Sequence, residues 1–171
     1  IFGKSGMHLW ELANGKDARV VEAQEETKSV SNEITFPKDT FDRDTIEKAL
    51  LTLSEKVSSR LRDDNLKGRT VTFKIRLEGF NTYTRANTVG SATNFVDVIY
   101  DEVKRLYLKF NRGGRKVRLI GVKISNLMPA DYRDNLFVDE TEDKLERIHQ
   151  AADRIKKKFG DASIKRAGGR F

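Results

Sequence analysis

The sequence predicts an α+β domain in which two helices cover one face of a four-stranded sheet, in the chain order βαββαβ. A short helix precedes this unit and a further helix follows it. Three observations carry the prediction: four segments alternate apolar and polar residues, two segments between them repeat apolar residues every three or four positions, and glycine, asparagine or proline marks the joints.

Phe2, Leu9, Trp10 and Leu12 lie near helical spacing in residues 1–13, and Asn14-Gly15 is a pair that commonly ends a helix in a left-handed cap. Because the chain opens on Ile1 rather than methionine and one helix cannot bury its own apolar stripe, this helix reads as the end of an upstream domain, residues 1–15. Residues 16–27 are polar, acidic at their end and without period, as an interdomain linker requires.

A new domain is expected over residues 28–128. Val30, Asn32, Ile34 and Phe36 share one face of a first strand, Ser29, Ser31, Glu33 and Thr35 the other, and Pro37 is expected to end it. Asp42 or Asp44 can cap a helix whose apolar positions are Ile46, Leu50, Leu53, Val57 and Leu61, closing before the turn-like Asn65 and Gly68. Val71, Phe73, Ile75 and Leu77 alternate with Thr70, Thr72, Lys74 and Arg76 in a second strand; past Glu78-Gly79, the threonine-rich residues 81–89 give a third. Phe95, Ile99, Val103, Leu106 and Phe110 describe a second helix, stopped by Gly113-Gly114 before an apolar strand over residues 117–127. Two helices on one face leave the other open, and the strand residues of that face are threonine, serine, lysine and arginine, suited to a phosphate backbone. Residues 129–143 form a second linker. Within 144–171, Leu145, Ile148, Ala152, Ile155 and Phe159 mark a helix with a narrow apolar seam, which wants a partner or packs back on the domain.

Composition narrows function. No segment approaches the apolar length of a membrane-spanning helix, and the first residues lack the layout of a signal peptide, so the cytoplasm is the expected compartment. Cysteine is absent, which excludes disulfides and thiolate chemistry, and the two histidines, His8 and His149, are too far apart in sequence to form a ligand cluster. Lysine and arginine number 33 against 26 acids, a net charge of +7, which favours a polyanionic partner. Gly3-Lys4-Ser5 could end a phosphate-binding loop, but no parallel sheet follows it. Asp63-Asp64 and Asp42-Arg43-Asp44 read as caps and turn residues rather than metal ligands, and no catalytic arrangement is present. These features alone reach a basic α+β nucleic-acid-binding module.

Several phrases resemble the C-terminal part of Y-family translesion DNA polymerases of the DNA polymerase IV class. Phe2-Gly3-Lys4-Ser5-Gly6 with Leu9-Trp10 and Ala13-Asn14-Gly15 is similar to the close of that family's thumb, and Lys28-Ser29-Val30-Ser31 to the opening of its little finger. Thr84-Arg85 with Thr88, and residues 117–122 with Ser125-Asn126-Leu127, are similar to two further little-finger strands. The resemblance implies a DNA-directed DNA polymerase that copies past damaged bases with magnesium ions held by a palm domain, which this chain lacks. On its own the chain is then inactive, without cofactor, monomeric, and grips a primer-template duplex through phosphates. Carried over by position, the phosphate contacts are Ser29, Ser31, Thr84, Arg85, Thr88, Arg118 and Lys123; archaeal relatives often carry two basic residues where this chain has Arg118-Leu119.

The family also commonly carries a peptide for the sliding clamp. Its counterpart is Arg133-Asp134-Asn135-Leu136-Phe137, in which Leu136 and Phe137 fit while Arg133 and Asp134 replace a glutamine and a leucine. Those two residues are equally readable as a fold-back contact of the linker. The other classes to weigh are an RNA-binding RRM-type module, for which Lys67-Gly68-Arg69-Thr70-Val71-Thr72-Phe73 supplies only the first two residues of the signature, and an assembly module acting through the C-terminal seam.

Overall fold

The computed structural model describes residues 3–17, 19–20, 27–132, 140–160 and 163–164. Its elements in chain order are α1 (Gly3–Ala13), β1 (Ser29–Thr40), α2 (Arg43–Asp63), β2 (Leu66–Leu77), a 3-10 turn (Glu78–Phe80), β3 (Thr82–Thr93), α3 (Val96–Leu108), β4 (Val117–Pro129) and α4 (Glu140–Phe159). The expected βαββαβ order is therefore present, with a helix on either side of it.

The sheet runs β1-β4-β2-β3 with every neighbour antiparallel, so β2 and β4 are central while β1 and β3 are edges. Position in the sheet explains how β1 tolerates Pro37: the strand continues to Thr40, and its register shifts between Thr35 and Thr40. An edge strand can host a residue with no amide hydrogen to give, so proline interrupts the ladder without ending the strand. Gly68, read from sequence as a turn residue, lies instead in β2, where a Cβ would come within 2.5 Å of Ile124 Cγ2 and 2.9 Å of Leu127 Cδ2. The turn falls on Asn65, at φ 54°.

Sequence dictates α2 closely. Asp42 caps it, accepting from the amides of Asp44 (3.3 Å) and Thr45 (3.1 Å). Ile46, Leu50, Leu53, Val57 and Leu61 then repeat on the face turned to the sheet, each at most 3% exposed. α3 adds Ile99, Val103 and Leu106 to the same layer. From the sheet come Val71, Phe73 and Ile75 of β2 and Ile120, Val122 and Ile124 of β4, with Phe73 edge-on to Tyr107 at 5.9 Å. Each such aliphatic or aromatic side chain removed from water stabilises the fold by roughly 1.5–3 kcal/mol before entropy is counted, so this single interface holds the domain together. Glu47 ties the two helices, accepting from Arg43 of its own helix at 2.6 Å and Lys104 of α3 at 2.7 Å.

α4 docks on this helix layer by its polar side. Asp153 accepts two hydrogen bonds from the Arg62 guanidinium, at 2.6 and 3.0 Å, and both side chains are largely buried. The same guanidinium donates to the Asn94 carbonyl at 2.8 Å and to Ser58 Oγ, which itself donates to that carbonyl. His149 is buried and stacks on Phe95, with ring centroids 5.4 Å apart. The apolar seam stays at the surface: Leu145, Ile148, Ile155 and Phe159 are all exposed. Packing back on the domain thus occurs, but through residues about a quarter-turn or more from the seam.

Candidate nucleic-acid interface

The register of the four strands assembles the uncovered face into rows. Ser29, Ser125, Thr70 and Thr88 form one; Ser31, Lys123, Thr72 and Ala86 the next; Glu33, Gly121, Lys74 and Thr84 a third; Thr35, Leu119, Arg76 and Thr82 the last. Hydroxyls fill most of these positions, with Lys123, Lys74 and Arg76 down the middle. The cause is strand parity: the alternate residues of the same strands carry the core, so their neighbours must face away from it.

Hydrogen bonds order parts of this surface. Thr70 and Thr88 hydroxyls lie 3.0 Å apart, and Asn126 donates to Thr70 at 2.8 Å from a left-handed position, φ 53°. Lys74 Nζ pairs with Glu33 at 2.7 Å, and Arg76 Nε donates to Thr82 at 2.8 Å. Lys123 is exposed, with no ion pair among the described residues. Gly121 sits where a Cβ would meet Glu33 Cβ at 3.1 Å, so its lack of a side chain lets the third row lie flat.

Of the seven residues carried over from sequence, five gather here: Ser29 and Ser31 on β1, Thr84 and Thr88 on β3, and Lys123 on β4. Two do not. Arg85 pairs with Phe73 across β3 and β2 and shares its side of the sheet, the helix side, where its guanidinium lies 5.8 Å from the Phe110 ring. Adjacent strand residues point to opposite faces, so Thr84 and Arg85 cannot both belong to one sheet surface. Arg118 is the extra residue of a bulge: β2 advances from Arg76 to Leu77 while β4 steps from Leu119 to Val117. Its side chain leaves the rows for Phe80, 4.5 Å to the ring centroid, and Asp39, at 3.3 Å. The alternation of β2 puts Thr70, Thr72, Lys74 and Arg76 opposite the core residues from sequence alone, but the carry-over by resemblance names none of them as phosphate contacts, nor Ser125, which the register places beside Thr70. Leu136 and Phe137 lie outside the described residues.

The geometry also decides against an RRM-type surface. Such a surface stacks bases on aromatics of the open face. Phe73, the aromatic of the partial signature, is fully buried against the helices.

Residues 27–136 match the model of the impB/mucB/samB family C-terminal domain. The chain belongs to this family. It is 35% identical to the DNA polymerase IV of Desulfatibacillum aliphaticivorans over 169 residues, 97% of this chain and 43% of that protein. With the DNA polymerase IV of Brucella melitensis biotype 1 it shares 36% identity over 160 residues, 93% of this chain and 36% of the relative, and with that of Methanoculleus marisnigri 42% over 125 residues, 73% and 34%. The chain therefore spans about two-fifths of the length of these relatives. A solved "Complex of beta-clamp processivity factor and little finger domain of PolIV" superposes at a TM-score of 0.49 with 21% identity, over 64% of this chain and 97% of that one. The polymerase resemblance read from the sequence agrees with these relatives. Among the described residues no group of three acidic or histidine side chains could hold a metal ion, and no helix is long and apolar enough to cross a membrane.

Proposed function

We propose that the uncovered sheet face grips the sugar-phosphate backbone of a primer-template duplex, as the little finger of a DNA polymerase of the DNA polymerase IV class working in the cytoplasm during damage bypass. The observation that carries this reading is the set of rows: hydroxyls across all four strands with Lys123, Lys74 and Arg76 at their centre. Hydroxyls and cations bind phosphates without reading base edges, which suits an enzyme that must hold any sequence. Ser29, Ser31, Thr84, Thr88 and Lys123 are the proposed contacts, joined by Thr70 and Lys74. Residues 1–15 would be the end of a thumb. The magnesium ions of the intact polymerase do not fit the acids described here, and on this reading the palm holds them. Leu136 and Phe137 are assigned to a sliding clamp from the sequence resemblance alone.

Duplex binding tests the reading. Duplexes of unrelated sequence should bind the chain with equal affinity, and Lys74→Ala with Lys123→Ala should weaken all of them alike. A marked preference for one sequence, or full affinity without both lysines, contradicts it.

A further inference from the structure

We infer that Phe80, at the tip of the β2–β3 turn, is a stacking platform for an unpaired base, held in place by Arg118. The inference deepens the nucleic-acid reading of the sheet and rests on it.

Phe80 is 64% exposed and takes φ 65°, a left-handed backbone that a bulky residue rarely adopts and for which glycine is the ordinary choice. A large aromatic in that position gains little from burial and loses backbone energy, so folding alone does not account for it. Its ring nonetheless has a partner. The Arg118 guanidinium lies 4.5 Å from the centroid, within cation–π range, and pairs with Asp39 at 3.3 Å. The bulge in β4 is what turns Arg118 toward the ring. Two residues on in the chain, Thr82 pairs with Arg76 in the last row of the proposed phosphate face, and its hydroxyl lies 3.5 Å from the Phe80 carbonyl oxygen. A base resting on Phe80 would therefore have cations within reach of its backbone.

An exposed ring beside fixed cations is the arrangement by which single strands are held, since every base offers a π-face and the contact tolerates any sequence. A paired base cannot use it, being already stacked in the helix. The platform thus selects the unpaired extension of a primer-template over the duplex itself.

The test compares the full chain's affinity for three labelled DNAs at low salt: a blunt duplex, the same duplex with a short single-stranded extension, and the duplex with an abasic extension that keeps the phosphates and omits the bases. The base-bearing extension should bind about ten-fold more tightly than the abasic one. Phe80→Gly, which relieves the left-handed backbone and so should not impair folding, should bring the two together, while Phe80→Trp should keep them apart. Equal binding of the two extensions by the unaltered chain overturns the platform, as does a difference that Phe80→Gly preserves. Absence of blunt-duplex binding would instead contradict the grip of the sheet face, so the two readings fail separately.

Discussion

Glu33 on β1 holds Lys74 on β2 at 2.7 Å across the glycine of the strand between them, and so occupies one of the central cations of the sheet face. An acid here neutralises charge that a phosphate would otherwise meet. Its presence makes Lys123 the central lysine without an ion pair among the described residues.

Glu33→Gln should therefore tighten duplex binding. An exposed pair of this kind is worth up to about 1 kcal/mol, which limits the gain to roughly five-fold. Equilibrium titration against the unaltered chain measures it, and weaker binding would place the phosphates elsewhere than this row.

Arg85→Ala should change duplex affinity far less than Lys123→Ala, because its guanidinium lies on the helix side over Phe110. The two variants titrated side by side decide this. A loss for Arg85→Ala equal to that for Lys123→Ala would mean that the DNA wraps the β3 edge.

Asp153→Ala should loosen α4 without unfolding the domain. It removes two hydrogen bonds to a charged, largely buried guanidinium, at a cost of about 2 kcal/mol. Amide hydrogen exchange should accelerate along Glu140–Phe159 and stay slow in β2 and β4. Unchanged protection of α4 would show that its other contacts, the His149–Phe95 stack and the Lys157–Asp63 ion pair, suffice.

Acid stability should depend on Glu47. Burial pushes its carboxyl up, but hydrogen bonds from Lys104 and Arg43 outweigh burial and hold the net value below the usual carboxylate range. A carboxyl depressed in the folded state contributes stability above its unfolded value and loses it as pH falls through the folded one. Glu47→Gln should lower the denaturation midpoint at neutral pH and narrow its gap to the unaltered protein in acid, below about pH 4. A gap that persists in acid would assign Glu47 a packing role instead.

Much of this was legible in the sequence because period and parity are local. Helical spacing from Ile46 to Leu61 and alternation from Val71 to Leu77 each have one physical reading, and the structure follows both. What escaped depends on the third dimension. Pro37 looks like a strand end until β1 is known to be an edge, and Gly68 looks like a turn until Ile124 is seen to occupy the space of its Cβ. The seam from Leu145 to Phe159 suggests the buried side of α4, yet Arg62, ninety-one residues from Asp153, selects the polar side through a contact that no local pattern announces. Arg85 was a different case: strand parity alone separates it from Thr84, but position-by-position resemblance passed over the alternation.

The most direct test of the phosphate grip is the dependence of duplex affinity on salt. Between about 50 and 200 mM the logarithm of the association constant should fall linearly with the logarithm of salt concentration, and Lys123→Ala should make that slope shallower by about one. Affinity that stays constant across this range, or a slope that Lys123→Ala leaves unaltered, would contradict the account.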